Sequence, residues 1–397
     1  MATKELDFHK TYDLSQEICI VKYEDNNLVI AVETAKWIVL TDSQLLVFKE
    51  LKNGKTIEEV FSIFSDDDVV GTLVQLEARQ FEDKEPKLKE ENNLCIYLTN
   101  RCNLRCKHCY MYSGEKEIEE LDTEEWKKIL NSFKQCGGEN VTFTGGEVTL
   151  RKDLLSILAY SKQIGLNNTV LSNGVLWNDE TIESAYKNID EIQISIDGYD
   201  DTSNAITRGS GSFEKAITTV KKFYEKDTKV SIAVTPLYDN IDKFVENFIP
   251  FATSFIETYP NIFIKVNLEL IKGRDVNLTE DENKDYKKQL MNLVNTIYPD
   301  YYINNFVINY KDNTILNSCG FGEMTIAPNG DIYFCNRIHE LNSIYNVKND
   351  DFEKLFNQTK LVREKTSVDN VEPCKTCEIK YICGGGCRLK YKNIEQM

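Results

Sequence analysis

Cys102-Asn-Leu-Arg-Cys106-Lys-His-Cys109 packs three thiols into one short stretch. A C-x3-C-x2-C loop can lay three thiolates around one face of an iron–sulfur cubane, which wants four ligands, so one iron stays open to a small molecule. A closed structural zinc site is the bland alternative, but it too needs four ligands and no fourth lies nearby. A second group reads Cys319-x10-Gly330-x4-Cys335, then Cys374-x2-Cys377-x5-Cys383-x3-Cys387. A zinc ribbon could use the later half of that string. These two groups take nine of the twelve cysteines, leaving Cys19, Cys95 and Cys136 alone. The first ten residues lack an apolar stretch, so the chain is expected to be cytoplasmic, where thiols stay reduced. Clustered thiols there point to metal or iron–sulfur ligation rather than to disulfides.

The elements around the first group alternate strand and helix. Short β-rich runs at 94–98, 141–144, 169–171, 192–196, 230–234 and 262–268 are separated by helical patterns at 123–133, 154–164, 213–224 and 241–256. Repeated βα units predict a parallel sheet or barrel with its site at the carboxyl ends of the strands. Six units can be counted, not eight. The cysteine loop follows the first strand. Thr144-Gly145-Gly146-Glu147 follows the second, Ser172-Asn173-Gly174 the third and Ser195-Ile-Asp197-Gly198 the fourth, with Arg208-Gly209 further on. Alone, each short string reads as a turn or cap; their order at successive strand ends makes them a candidate site.

At this point the chain resembles the radical S-adenosylmethionine (radical SAM) superfamily, whose signature is this C-x3-C-x2-C loop after the first barrel strand. The flanking Leu98-Thr99-Asn100-Arg101 and Tyr110 match the common form of that loop. The resemblance implies a partial (β/α)6 TIM-like barrel and a 4Fe–4S cluster on Cys102, Cys106 and Cys109 that binds S-adenosylmethionine (SAM). It further implies that Gly145, Gly146 and Glu147 hold the methionyl amino group, that Ser172 and Ser195 meet the ribose hydroxyls, and that Arg208 meets the carboxylate. Val148 stands where the family usually has proline. His108 would pack around the cluster and Tyr110 would belong to the cofactor site.

The C-terminal string resembles the cysteine-rich SPASM domain, which binds one or two auxiliary iron–sulfur clusters. By that pattern Cys319, Cys335 and Cys387 hold the inner cluster and Cys374, Cys377 and Cys383 the outer one. The family's further cysteine is absent by the last residue of this sequence, and six thiols fall short of the eight that two four-iron clusters take. A non-cysteine residue or a lone cysteine completes a site, or an iron is left open; an open inner iron would suit a substrate thiolate.

Ahead of the barrel, β-rich runs at 18–23, 27–32 and 37–40 are followed by three helical patterns, opened by Thr41-Asp42, by the capping box Thr56-Ile57-Glu58-Glu59 and by Asp66. This α+β module is winged-helix-like. It resembles the PqqD-like domain by which maturases of ribosomally made peptides (RiPPs) recognise a leader, which implies strand addition to the third strand. A DNA-binding winged helix is disfavoured, because Glu58, Glu59 and Asp66–Asp68 would repel phosphates and the chain carries a formal charge of −17. Three segments are expected: 1–90 recognition domain, 91–312 radical SAM barrel, and 313–397 SPASM-like domain. The stretch 82–91, with its Pro86, reads as a linker, and the aromatic-rich run 298–310 as core.

The implied activity is maturation of a ribosomally synthesised precursor peptide by 5′-deoxyadenosyl-radical hydrogen abstraction, forming a thioether from cysteine sulfur to carbon, as in sactipeptides and ranthipeptides. A flavodoxin- or ferredoxin-like reductant would supply electrons. A C–C crosslink or epimerisation is the alternative within the class, and a non-catalytic iron–sulfur sensor the alternative outside it. The histidines are only His9, His108 and His339, and no nucleophile elbow, Walker loop or zincin motif occurs. No apolar run reaches the ~18–20 residues of a membrane span.

Overall fold

The structure is a computed structural model that describes residues 6–32, 34, 36–82, 92–115, 117–299, 316–338 and 341–390. The expected linker beyond Glu82, the aromatic run from residue 300 onward and His339 lie outside the described residues. The chain divides into two compact units. One comprises Met1–Glu90, Asn304–Phe321 and Arg363–Met397; the other comprises Glu91–Ile303 and Gly322–Val362.

In the first unit, β1 (Ile18–Tyr23), β2 (Asn26–Ala31) and β3 (Lys36–Thr41) form an antiparallel meander in the order 1-2-3. The β1–β2 register pairs Tyr23 with Asn26, leaving Glu24 and Asp25 as the turn, and Glu24 takes a positive φ of 51°. Three helices follow: Asp42–Lys52, Ile57–Phe61 and Asp66–Ala78. Thr41 with Gln44, and Thr56 with Glu59, each close a capping box, which satisfies otherwise orphaned N–H groups at the helix starts. One sheet face buries Val29, Ala31, Ile38 and Leu40 against Val47, Phe48, Leu51, Val60, Val69 and Leu73 of the helices.

The second unit is built on β4 (Asn93–Tyr97), β5 (Asn140–Thr144), β6 (Asn167–Ser172), β7 (Glu191–Ser195), β8 (Lys229–Val234) and β9 (Phe263–Val266). These six strands are parallel neighbours in sequence order. Helices Thr123–Gln135, Leu154–Gln163, Asp179–Ala185, Ser212–Tyr224 and Ile241–Thr258 lie between them. Their burial follows the 3.6-residue period: the first helix buries Trp126, Ile129, Leu130 and Phe133 on one stripe, and the ring of Phe133 meets Phe356 edge-on at 5.5 Å. Truncating such a buried ring costs about 3–5 kcal/mol.

The sheet does not stop at β4. Three short strands, β10 (Met324–Ile326), β11 (Asp331–Tyr333) and β12 (Tyr345–Asn346), extend it to nine. β10 runs parallel to β4, pairing Thr325 with Cys95, while β11 and β12 return antiparallel. The sequence segment 313–397 is therefore shared between the two units, because its strand-forming part finds its hydrogen bonds on the free edge of β4.

Candidate functional site

Four consecutive parallel strands, β4 to β7, deliver their C-terminal turns to one end of the sheet. After β4, Leu98 N–H donates to Thr144 O at 2.8 Å, and the chain then breaks into the cysteine loop. Glu120 fixes the loop's start, accepting from Thr99 Oγ1 at 2.5 Å and Asn100 N–H at 3.0 Å. Gly145 and Gly146 press against this loop. A Cβ on Gly146 would sit 2.2 Å from Arg101 O, and one on Gly145 2.5 Å from Thr99 O, with Gly145 at φ 151°. Gly146 N–H and Glu147 N–H donate to Thr99 O and Arg101 O at 2.7 and 2.8 Å. The glycines thus admit the backbone of the cysteine loop itself.

Glu147 is buried and both oxygens of its carboxylate accept hydrogen bonds. Oε1 accepts from Thr149 N–H (3.2 Å), Thr149 Oγ1 (2.7 Å) and Ser172 Oγ (2.7 Å), and Oε2 accepts from Asn173 N–H (2.7 Å). Ser172 in turn accepts from Gly174 N–H and Trp177 Nε1, both at 3.0 Å. Glu147 and Ser172 therefore brace the ends of β5 and β6. Asn173 extends the brace to the cysteine loop through Nδ2 to Asn103 Oδ1 at 2.8 Å. Ser195, half-buried at the end of β7, has no side-chain hydrogen bond among the described residues.

Arg208 ends the helix Asp201–Arg208. Its Nε stands 2.6 Å from Asp197 Oδ2 without the alignment of a hydrogen bond, and its Nη1 lies 3.8 Å from Cys106 Sγ. Burial alone would lower the guanidinium's pKa, but Asp197 and the nearby Cys106 hold it above the ordinary value. Asp197 Oδ1 accepts from Thr235 N–H at 2.7 Å, which ties β7 to β8. His108 Nε2 is 3.6 Å from Asp197 Oδ2. Burial pulls the His108 pKa down to about 4, so the ring is neutral, and its buried Nδ1 has no partner. Tyr110 Oη meets Tyr97 Oη at 3.1 Å, and Tyr97 Oη donates to Asn336 O at 2.8 Å.

Two residues outside the sequence motifs shape the loop. Arg274 donates from Nη1 to Cys106 O at 2.9 Å, from Nη2 to Ser113 O at 3.0 Å and from Nε to Glu115 at 2.6 Å. Gly273 lies against His108, where a Cβ would come within 2.5 Å of its carbonyl oxygen. A Gly-Arg-Asp turn after the sixth strand carries no spacing signal, so nothing in the sequence marked these residues.

The donor set suits an iron–sulfur cluster. Cys102 and Cys106 are pushed up by burial, Cys102 to about 11, and each feels the neighbouring thiols of the loop. Ligation would release those protons. Among the described residues no three His, Cys, Asp or Glu side chains converge tightly enough for a single metal ion. His108 Nδ1, beside the thiols in the loop, is a buried polar atom with no hydrogen-bond partner among the described residues.

The auxiliary thiols divide by unit. Cys335 is buried in the second unit, just after β11. In the first unit Ser318 N–H donates to Gly384 O and Gly386 N–H to Ser318 Oγ, both at 2.9 Å, which brings the segment of Cys319 beside that of Cys387. Cys374 and Cys377 share a single 3-10 turn, closed by Cys377 N–H to Cys374 O at 2.9 Å. Gly384, Gly385 and Gly386 all have positive φ; a Cβ on Gly385 would sit 3.0 Å from Cys374 Sγ. Arg388, fully buried, holds this turn by donating to Thr366 O, Gly386 O and Leu316 O at 2.5, 2.8 and 3.0 Å.

Comparison with known proteins agrees with this geometry. The radical SAM superfamily model matches residues 96–248, and the SPASM iron–sulfur cluster-binding domain model matches 318–378. The sporulation killing factor maturation protein SkfB of Bacillus subtilis is 36% identical over 150 residues, 37% of this chain and 36% of that protein. The mycofactocin maturase MftC of Mycolicibacterium smegmatis is 27% identical over 80% of this chain and 83% of its own length. The crystal structure of Streptococcus suis SuiB bound to precursor peptide SuiA shares the fold at a TM-score of 0.56, with 18% identity over 97% of this chain and 98% of that one. A radical SAM domain joined to a SPASM domain takes a 4Fe–4S cluster with SAM and auxiliary clusters. The three-thiol loop and the strand-end glycines thus lie within a radical SAM domain at residues 96–248, and the second thiol group begins in a SPASM iron–sulfur cluster-binding domain matched at 318–378.

Proposed function

We propose that this chain is a maturase of a ribosomally synthesised precursor peptide and that its product is a thioether from a peptide cysteine to a neighbouring carbon. The observation that carries the peptide reading is the edge of β3. In the order 1-2-3 the outer edge of β3 has no strand partner among the described residues. The helix Asp66–Ala78 flanks it, exposing Val70 and Val74 one turn apart, and Arg79 stacks over the Trp37 ring of β3 at 5.0 Å. An outermost strand beside an apolar stripe suits an added peptide strand, which takes main-chain pairing for affinity and pockets for alternate side chains. The likeness to SuiB, whose crystal structure contains a precursor peptide, supports the same reading.

Cys102, Cys106 and Cys109 would hold the cluster that binds SAM. When bound, that pair supplies 5′-deoxyadenosyl-radical chemistry, which takes a hydrogen atom from a peptide carbon. The chain's own residues bind and orient. Arg208, whose Nη2 has no hydrogen bond among the described residues, would take the methionyl carboxylate, and Ser195 a ribose hydroxyl. Glu147 Oε2, which accepts one hydrogen bond, and main-chain oxygens of the Gly145–Glu147 segment would take the amino group. Tyr97, Tyr110 and the neutral His108 wall the site from water. The thioether reading is supported by the second thiol group, Cys319, Cys335, Cys374, Cys377, Cys383 and Cys387, whose auxiliary iron could take a substrate sulfur.

The test uses anaerobically reconstituted protein, SAM, dithionite and a short cysteine-containing precursor peptide. Peptide-dependent 5′-deoxyadenosine, a loss of ~2 Da and fewer alkylatable thiols are expected. Deoxyadenosine with an unchanged thiol count moves the product to carbon chemistry. A Cys102→Ala variant that still modifies the peptide overturns the radical mechanism.

A further inference from the structure

Asp197 stands just beyond β7, and its side chain has no exposed surface. Its main-chain N–H donates to Asn204 Oδ1 at 2.8 Å, and a Cβ on the next residue, Gly198, would come 2.2 Å from Asn204 N. This close approach packs the helix Asp201–Arg208 against the end of β7, and the last residue of that helix returns to Asp197. The two carboxylate oxygens have different neighbours. Oδ1 accepts from Thr235 N–H at 2.7 Å, a bond that a neutral asparagine would make equally well. Oδ2 makes no hydrogen bond among the described residues; it lies 2.6 Å from Arg208 Nε and 3.6 Å from Nε2 of the neutral His108 ring. The negative charge on Asp197 therefore answers one cation, Arg208.

The same guanidinium reaches the cysteine loop, with Nη1 3.8 Å from Cys106 Sγ. Burial is the largest influence raising the Cys106 thiol; after it, Arg208 pulls the thiol down and Asp197 pushes it back up. Both charges act on this sulfur with opposite sign, in a buried setting where salt screens little. A buried charge stripped of its partner is costly and acts undiminished on its neighbours. The reduction potential of an iron–sulfur cluster follows the net charge around it. An unpaired guanidinium beside Cys106 would therefore make a cluster there easier to reduce, and a paired one much less so.

We infer that Asp197 is a positioning residue of the radical site: it holds the Arg208 guanidinium beside Cys106 and cancels its charge there. Arg208 can then present its remaining N–H groups to an anionic ligand without raising the potential of the cluster. The inference rests on assigning Cys102, Cys106 and Cys109 to the SAM-binding cluster and needs nothing of the peptide chemistry.

The test is an EPR-monitored redox titration of the reconstituted full chain. The signal followed is the one missing from protein with Cys102, Cys106 and Cys109 all changed to Ala. Asp197→Asn keeps an oxygen for Thr235 N–H and removes the charge, and the potential of that signal is expected to rise. Arg208→Gln leaves the carboxylate unanswered, and the potential is expected to fall. The double variant removes both charges, and its potential is expected to return towards that of the parent, with the auxiliary signals unmoved throughout. A role confined to packing would lower the urea midpoints of the iron-free proteins and add the two losses, with no reversal of sign. A parental potential in Asp197→Asn, or a double variant further from the parent than either single one, overturns the proposal. Where a single variant fails to hold iron, recovery of iron in the double variant supports the pairing, and continued loss overturns it. If the protein with three Ala substitutions keeps every signal of the parent, the cysteine-loop assignment itself fails, whatever Asp197 does.

Discussion

Removing Arg274 should unmake the cysteine loop while leaving the rest of the fold standing. Its side chain is 8% exposed and donates to the carbonyls of Cys106 and Ser113, which lie on either side of Cys109. Hydrogen bonds from a charged donor contribute about 1.5–3 kcal/mol each, so the two together are worth roughly 3–6 kcal/mol. The third contact, to Glu115, is one-third exposed on the carboxylate side and adds at most about 1 kcal/mol. The carbonyls left behind regain water only if the loop opens, and local opening is less costly than global unfolding. Arg274→Ala should therefore lose iron selectively from the radical site, retain auxiliary iron, and change the global melting temperature little. Arg274→Lys, whose single ammonium reaches one carbonyl at a time, should keep an intermediate amount. Iron per chain and the EPR change on adding SAM, measured against auxiliary-only protein, read this out. Arg274→Ala protein with parental iron and a parental response to SAM would refute the reasoning.

Three further outcomes follow from the same geometry. Gly146→Ala places a methyl 2.2 Å from Arg101 O, so the loop must shift, and SAM binding followed by equilibrium dialysis should be lost rather than merely weakened. Ser172→Ala strands the Gly174 and Trp177 N–H groups in the interior and should cost about 1–3 kcal/mol in urea unfolding, whereas Ser195→Ala should leave unfolding unchanged and weaken SAM binding by roughly 2–13-fold, the worth of one hydrogen bond. In iron-free protein His108 titrates near 4 folded against 6.5 for the free side chain; its contribution is intact above pH 6.5 and is lost as pH falls to 4, because the unfolded chain takes the proton first. The loss should approach about 3 kcal/mol in acid unfolding curves and be absent in His108→Asn.

The six βα units were readable because each strand is a buried apolar run and each helix keeps a regular stripe, as with Trp126, Ile129, Leu130 and Phe133. Polar capping chemistry marked helix starts equally well at Thr41 and Thr56. Strands β10 to β12 escaped notice, since two or three residues are too few to show a period and their partner lies more than two hundred positions away. In the site, residue types at strand ends were legible, but the division of labour among them was not. Ser172 and Ser195 look alike as letters; one is consumed by Glu147 and Trp177 and the other is free, a difference set by neighbours from other strands. Arg274 illustrates the limit: a single arginine in a turn is unremarkable until the loop it clasps has been folded onto it.

The pairing of β10 with β4 also bears on how the chain emerges from the ribosome. β4 finds β5 early, but its other edge, Leu94 to Ile96, waits for Met324 to Ile326. At about 5–20 residues per second, that edge is exposed for roughly 10–45 s of synthesis. Unpaired apolar strand edges are templates for wrong partners. β9 ends the sheet with a strand on one side, and of the other five parallel strands the one that launches the cysteine loop is the last to be covered on both sides. Slow growth at low temperature, or a chaperone that shields nascent edges, should raise the soluble yield more than any added iron, since the metal acts only on chains that have already survived this interval.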